Sequence, residues 1–167
     1  MKTSEKDLDG LRKRHPAEKI VFCSGGFDFT HAGHALFFED CKKHGDVLVV
    51  GIASDAVRVK ERGHSRAPVF NQHVRLHMVD SLKPVDYAFL LTEIARPEEH
   101  PSTPLVEIFN SLRPDVWVVN EDASDIPHRE KIARDNNIEL VILPRTCPLE
   151  FENISTSGII KKIKESQ

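Results

Sequence analysis

The chain has 167 residues, the size of one domain. Apolar residues make up 40% and charged residues 29%, which excludes wholesale disorder and collagen-like repeats. A net charge of -3, from 23 basic and 26 acidic residues, disfavours the coating of duplex nucleic acid but leaves room for one small anion.

Residues 1–18 are polar and charged, with a weak helical pattern at Leu8 and Leu11 that ends at Pro16. They are read as a lead-in segment, and residues 19–167 as the domain proper. Lys19–Gly26 is a short apolar run that stops at two glycines, as a buried parallel strand does. His34–His44 is read as a helix, with Lys42, Lys43 and Gly45 as its stop signal. Asp46–Ala53 is a second buried strand, so the first fifty residues spell a βαβ unit.

Helical patterns follow at Ser54–Arg62 and Asn71–Leu82, separated by the loop GHSRAPVF. Val85–Leu91 is a third strand, and residues 92–103 read as loop. Pro104–Leu112 is a short helix, Asp115–Val119 a fourth strand, Ile126–Asn136 a helix and Glu139–Leu143 a fifth strand. Thr156–Lys164 closes the pattern as a helix. Alternating strands and helices predict a single α/β domain, a Rossmann-like, doubly wound, parallel five-stranded sheet.

Three cysteines, Cys23, Cys41 and Cys147, are widely spaced and form no CxxC pair, so a disulfide framework or structural zinc site is not expected. No apolar run approaches the ~20 residues that span a bilayer. The expectation is a cytoplasmic protein that binds neither membrane nor nucleic acid.

In a doubly wound sheet, ligands sit at the carboxyl ends of the strands. After the first strand the chain reads SGGFDFTHAGH, Ser24 to His34. His31 and His34 lie three apart at a predicted helix start, so both imidazoles can face one pocket. The N–H groups and positive dipole end of that helix point at the same place. Gly25, Gly26 and Gly33 allow close backbone approach by a phosphate. The assembly suits a polyphosphate.

Gly25, Phe27, Asp28, His31, Gly33 and His34 together resemble the HxGH signature of the nucleotidyltransferase superfamily, cytidylyltransferase-like branch. Lys42–Asp55 is similar to the family's second strand and the acidic residue after it. Val59–Val69 and His73–Tyr87 resemble its basic loop and the helix leading to the third strand. Ile154–Ile163 resembles its C-terminal I-S-T-T-x-I-I-x-x-I motif, with Ser157 in place of the second Thr.

The resemblance implies transfer of a nucleoside monophosphate from ATP or CTP to a phosphorylated small molecule, with release of pyrophosphate. It implies that His31 and His34 donate to the triphosphate. Ser155, Thr156 and Ser157 would bind its β- and γ-phosphates at the start of the last helix. Lys60 would be the cation near the α-phosphate, with Arg62 and Arg66 gathered nearby. Arg75 and Arg145 are candidates for the acceptor phosphate. Asn120, in the loop after the fourth strand, would help shape the nucleotide site. Asp28 reads either as a turn residue or as a substrate contact, and Ser155 and Thr156 either as helix caps or as phosphate ligands. A Mg2+ ion would accompany the triphosphate, and a homodimer is expected.

The fourth-strand loop, VVNEDASDI, departs from the family's glycine-rich forms, and extra residues separate PRT from IST. The tail and the PLVEIFNSLRPDVWVV segment are similar to ADP-heptose-synthase nucleotidyltransferase domains, which favours a heptose 1-phosphate-like acceptor. The PRT segment is similar to glycerol-3-phosphate cytidylyltransferases. A flavin mononucleotide (FMN)-type adenylyltransferase and a non-catalytic nucleotide-binding module are the other readings.

Overall fold

The computed structural model describes residues 1–63, 67–96, 98–152 and 154–166, without the side chain of Arg62. His64 and Arg66 lie outside the described residues. After a single 3-10 turn at Glu5–Asp7, the elements run α1 (Leu8–Arg14), β1 (Ile20–Gly25), α2 (Ala32–Lys42), β2 (Val47–Ala53), α3 (Asp55–Arg62), α4 (Gln72–Asp80), β3 (Tyr87–Leu91), α5 (Leu105–Leu112), β4 (Val116–Asn120), α6 (Ile126–Asp135), β5 (Glu139–Leu143) and α7 (Thr156–Glu165).

The five strands form one parallel sheet in the order β3-β2-β1-β4-β5. Its central strands carry helices on both faces, which is why they read as unbroken apolar runs. All seven residues of β2 are buried. Strand alternation sends Phe22, Val49, Phe89, Trp117 and Val119 to one face, where α1, α5 and α6 cover them. Val21, Cys23, Leu48, Val50 and Val118 face the other way, onto Phe38 and Cys41 of α2 and Val79 of α4.

The amino ends of the strands are tied by aspartates. The backbone N–H of Ile20 donates to Asp115 (2.8 Å) and that of Leu48 to Asp86 (2.7 Å). The carboxyl ends are left open. From β1 the chain winds one way to β2 and β3, then returns to β4 on the other side, so β1 and β4 flank the switch point. They pair over only three positions, ending at Cys23 and Val118. Beyond these residues the two strands part, and a crevice opens between them.

Residues 1–18, read as a lead-in segment, pack against the sheet and α5. Thr3 donates its N–H to the Ala88 carbonyl (2.9 Å), and Ala88 donates to that of Met1 (3.1 Å). Leu8 and Leu11 are fully buried in the core with Phe22 and Trp117. Among the described residues no helix is long and apolar enough to cross a membrane.

Candidate active site

The turn from β1 to α2 is held in an unusual conformation. Phe27 and Phe29 have φ of 49° and 47°, a left-handed region in which bulky residues are strained. Packing compensates for the strain. The Phe27 ring lies edge-on to His34 at 5.4 Å and against Phe38 at 4.9 Å, while Phe29 packs on Phe70 at 5.0 Å. Asp28 clamps the turn from outside. Its carboxylate accepts from the N–H groups of Phe29 (3.1 Å), Val69 (2.7 Å) and Phe70 (3.0 Å). With both oxygens engaged, Asp28 is a turn residue in this structure.

The helix begins two residues earlier than expected, at Ala32, with His31 as its N-cap. The His31 carbonyl accepts from the His34 N–H at 2.9 Å, which brings the two side chains together. The imidazoles stack with centroids 4.0 Å apart and planes 21° from parallel. Both Nδ1 atoms are buried without a hydrogen-bond partner among the described residues. Such unsatisfied atoms cost about 1–3 kcal/mol each, which the native packing must offset.

Burial, with the neighbouring His31 and Arg145 adding to it and Asp28 opposing, lowers the His34 pKa to about 4. Burial, then the Arg145 charge, also lowers that of His31. Two stacked rings beside an arginine resist charging, so both are neutral at pH 7. Each neutral ring carries one N–H that can donate to an anion.

Gly26 and Gly33 keep the turn open. A Cβ at Gly26 would meet Arg58 Nε at 2.8 Å, and one at Gly33 would meet the His31 ring at 3.1 Å. Gly25 lies against the Phe27 ring. The start of α7 faces the same turn. Ser155 caps it, accepting from the Gly158 N–H (3.1 Å), and the Ser157 hydroxyl lies 3.3 Å from that of Ser155. The Thr156 hydroxyl donates to the Asp28 carbonyl (2.8 Å), fastening the last helix to the first turn. The amino ends of α2 and α7 thus converge on one cleft of about 1290 Å³.

Gly25, Gly26, Phe27, Asp28, His31, Gly33, His34, Asn120, Arg145, Ser155, Thr156 and Ser157 all line this cleft. Two expected cations do not. Lys60 is exposed on α3 and off the cleft wall; Arg58, two residues earlier and so on another face of the helix, lines the cleft instead and pairs with Glu61 at 2.7 Å. Arg75 is buried in α4 and donates to the carbonyls of Phe70 (3.0 Å) and Gly26 (2.6 Å) and to Asp55 (2.7 Å). It braces the turn from behind and faces no acceptor.

Arg129, which the motifs did not single out, also lines the cleft from the first turn of α6. Its place was available in principle, since α6 starts at the same sheet edge as α2. Beside the cleft, His100, Asp125 and His128 bring their ligand atoms within 4.8 Å, a possible metal trio. His100 Nδ1 accepts from the Ser102 N–H (3.1 Å), which leaves the ring proton on Nε2, 3.2 Å from Asp125. Hydrogen bonding thus accounts for His100 and Asp125, while His128 Nε2 is buried without a partner among the described residues.

Residues 22–162 match the model of the cytidylyltransferase-like family. The chain belongs to that family. It is 33% identical over 160 residues to the bifunctional protein HldE of Helicobacter pylori (strain P12), covering 95% of this chain and 31% of that protein. With HldE of Campylobacter jejuni (strain RM1221) it shares 35% over 151 residues, 90% of this chain and 29% of the relative. The chain thus spans about a third of the length of these relatives.

Among solved structures it is similar to a lipopolysaccharide core biosynthesis protein from Thermoplasma volcanium, with a TM-score of 0.61 and 26% identity over 79% of this chain and 99% of that one. A pantoate-beta-alanine ligase from Francisella tularensis shares the fold alone, at a TM-score of 0.66 and 16% identity over 99% and 78% of the two chains. In this member of the cytidylyltransferase-like family the HxGH pair lies at the switch point of the sheet.

Proposed function

We propose that this chain is a nucleotidyltransferase that moves a nucleoside monophosphate from ATP or CTP to a phosphorylated sugar, with a heptose 1-phosphate-like acceptor. The observation that carries the reaction type is the neutral His31–His34 stack, with unpartnered Nδ1 atoms, beneath the converging amino ends of α2 and α7. The similarity to HldE over nearly the whole chain supports the sugar-phosphate acceptor.

In this reading the triphosphate lies over the turn. A phosphate oxygen of the acceptor attacks the α-phosphorus, the bond to the bridging α–β oxygen breaks, and pyrophosphate leaves with that electron pair. His31 and His34 donate N–H groups to phosphoryl oxygens, whose charge grows in the transition state. Arg145, close enough to shift both imidazoles, neutralises phosphate charge. The Thr156 hydroxyl is already committed to Asp28, so its backbone N–H and the free N–H groups beside it serve the β- and γ-phosphates.

Because both Asp28 oxygens accept backbone N–H groups, the turn offers no free carboxylate to a metal. A Mg2+ ion would be held mainly by the phosphate oxygens and would screen their charge. The test is pyrophosphate release from ATP and from CTP, each with heptose 1-phosphate, glycerol 3-phosphate or FMN. Turnover with heptose 1-phosphate is expected. Turnover only with another acceptor would reassign the substrate, and none with any pair would overturn the enzymatic reading.

A further inference from the structure

Among the described residues three arginines line the cleft, and they are not in the same state. Arg58 is paired with Glu61, and Arg145 with Asp122. Arg129 makes no ion pair among the described residues. Its Nε donates to the Ser124 carbonyl (2.9 Å), and its guanidinium lies over the Trp117 ring, 5.5 Å from the centroid. These contacts fix the side chain and leave its two terminal nitrogens without an acceptor among the described residues. It is half-buried, and a desolvated, unpaired guanidinium is unfavourable unless an anion completes it.

The position says which anion. The HxGH turn, α7 and Arg145 form the side of the cleft where the triphosphate is proposed to lie. Arg129 stands on α6, next to the side built by Pro104, Leu105 and Ile108 of the β3–α5 connection and α5. It lies near enough to feel the charge of Glu61, which holds Arg58 over Gly26. Arg129 thus belongs to α6 and not to the turn and α7 assigned to the triphosphate, and among the described residues it is the cleft arginine without a carboxylate partner.

We propose that Arg129 binds the phosphate monoester of the second substrate and so selects phosphorylated acceptors. This rests on the nucleotidyl-transfer reading given above and adds the residue that reads the acceptor. Arginine suits the task because its fork can grip two phosphate oxygens at once, which a lysine cannot.

The experiment uses the full chain and two probes. The α,β-methylene analogue of ATP or CTP, which cannot transfer its nucleotide, is titrated first. Glycerol 3-phosphate and methyl phosphate are then titrated into the analogue complex, with wild type, Arg129→Gln and Arg129→Lys compared by calorimetry. The expected result is analogue affinity within about twofold in all three proteins, with alkyl-phosphate affinity at least tenfold weaker in Arg129→Gln and intermediate in Arg129→Lys. Equal phosphate affinity in wild type and Arg129→Gln would overturn the proposal. So would loss of analogue affinity in Arg129→Gln, which would move Arg129 to the triphosphate, or no phosphate binding to the wild-type complex. Failure of wild type to bind either analogue would contradict the nucleotide reading instead. Phosphate titrated into the free proteins would then decide the role of Arg129 alone.

Discussion

His34, the proposed N–H donor to phosphate, carries a cost in stability. Its ring is buried against Phe27 and stacked on His31, which lowers its pKa to about 4. An unfolded chain has the ordinary value near 6.5. Between these values the unfolded state binds a proton that the native state refuses. Stability is therefore level above about pH 6.5 and falls as pH drops toward 4, by up to about 1.4 kcal/mol per pH unit from this group. Chemical denaturation from pH 7.5 to 4.5 should show the decline, and His34→Asn should flatten it; an identical slope in the variant would contradict the assignment.

For catalysis, His34→Ala should keep the fold but lower kcat by ~100-fold or more, as loss of a transition-state donor does. Steady-state pyrophosphate release measures this directly. At this scale the sequence was most informative where residue types and spacing bring side chains together, as in His31, Gly33 and His34, which share one cleft. It was least informative for cations. Lys60 and Arg75 share the charge of Arg58 and Arg129, and a linear pattern does not say which long side chain turns inward.

Among the elements, α4 shows how a charged residue can act as structure. Arg75 is almost wholly buried, yet all three of its recorded hydrogen bonds end on the backbone or carboxylate that shape the β1–α2 turn. Arg75→Leu should cost about 2–3 kcal/mol, the scale of leaving buried carbonyls without donors, with Asp55 half-exposed and so partly rescued by water. Urea unfolding gives the number, and a change under about 0.5 kcal/mol would show that the brace is dispensable.

The helix and strand order was legible throughout, because buried parallel strands read as apolar runs and the caps and glycines punctuate them. The start of α2 was displaced by two residues because the N-cap is a histidine, which carries no capping signature. The Asp28 clamp on Val69 and Phe70 joins residues 41 and 42 apart in sequence, and only the folded chain reveals such a contact.

At the scale of the whole molecule, the chain is one packing unit. The first strand's core face is closed by Leu8 and Leu11, which touch the same cluster as Trp117 and Leu112. Each fully buried leucine contributes about 1.5–3 kcal/mol, so removing residues 1–18 forfeits a large part of a stability that is typically about 5–15 kcal/mol. The truncated chain should melt well below the full one or fail to fold; an unchanged melting temperature would contradict this packing account. Polarity hid the role of the segment, since two apolar residues among many charges give only a faint period.

The modest net charge of -3 is also placed by the fold. Arg58, Arg129 and Arg145 meet at the open edge of the sheet, whereas Asp46, Asp86 and Asp115 tie its closed edge. The described cleft lining interleaves these arginines with Glu5, Asp28, Glu61, Glu93, Asp122 and Glu152. The most direct measurement of the central claim is acceptor-dependent pyrophosphate release from ATP and CTP with heptose 1-phosphate, wild type beside His34→Ala. The account predicts release by wild type with at least one triphosphate and a fall of ~100-fold or more in the variant. Equal rates in the two proteins, or no release with either triphosphate, would contradict it.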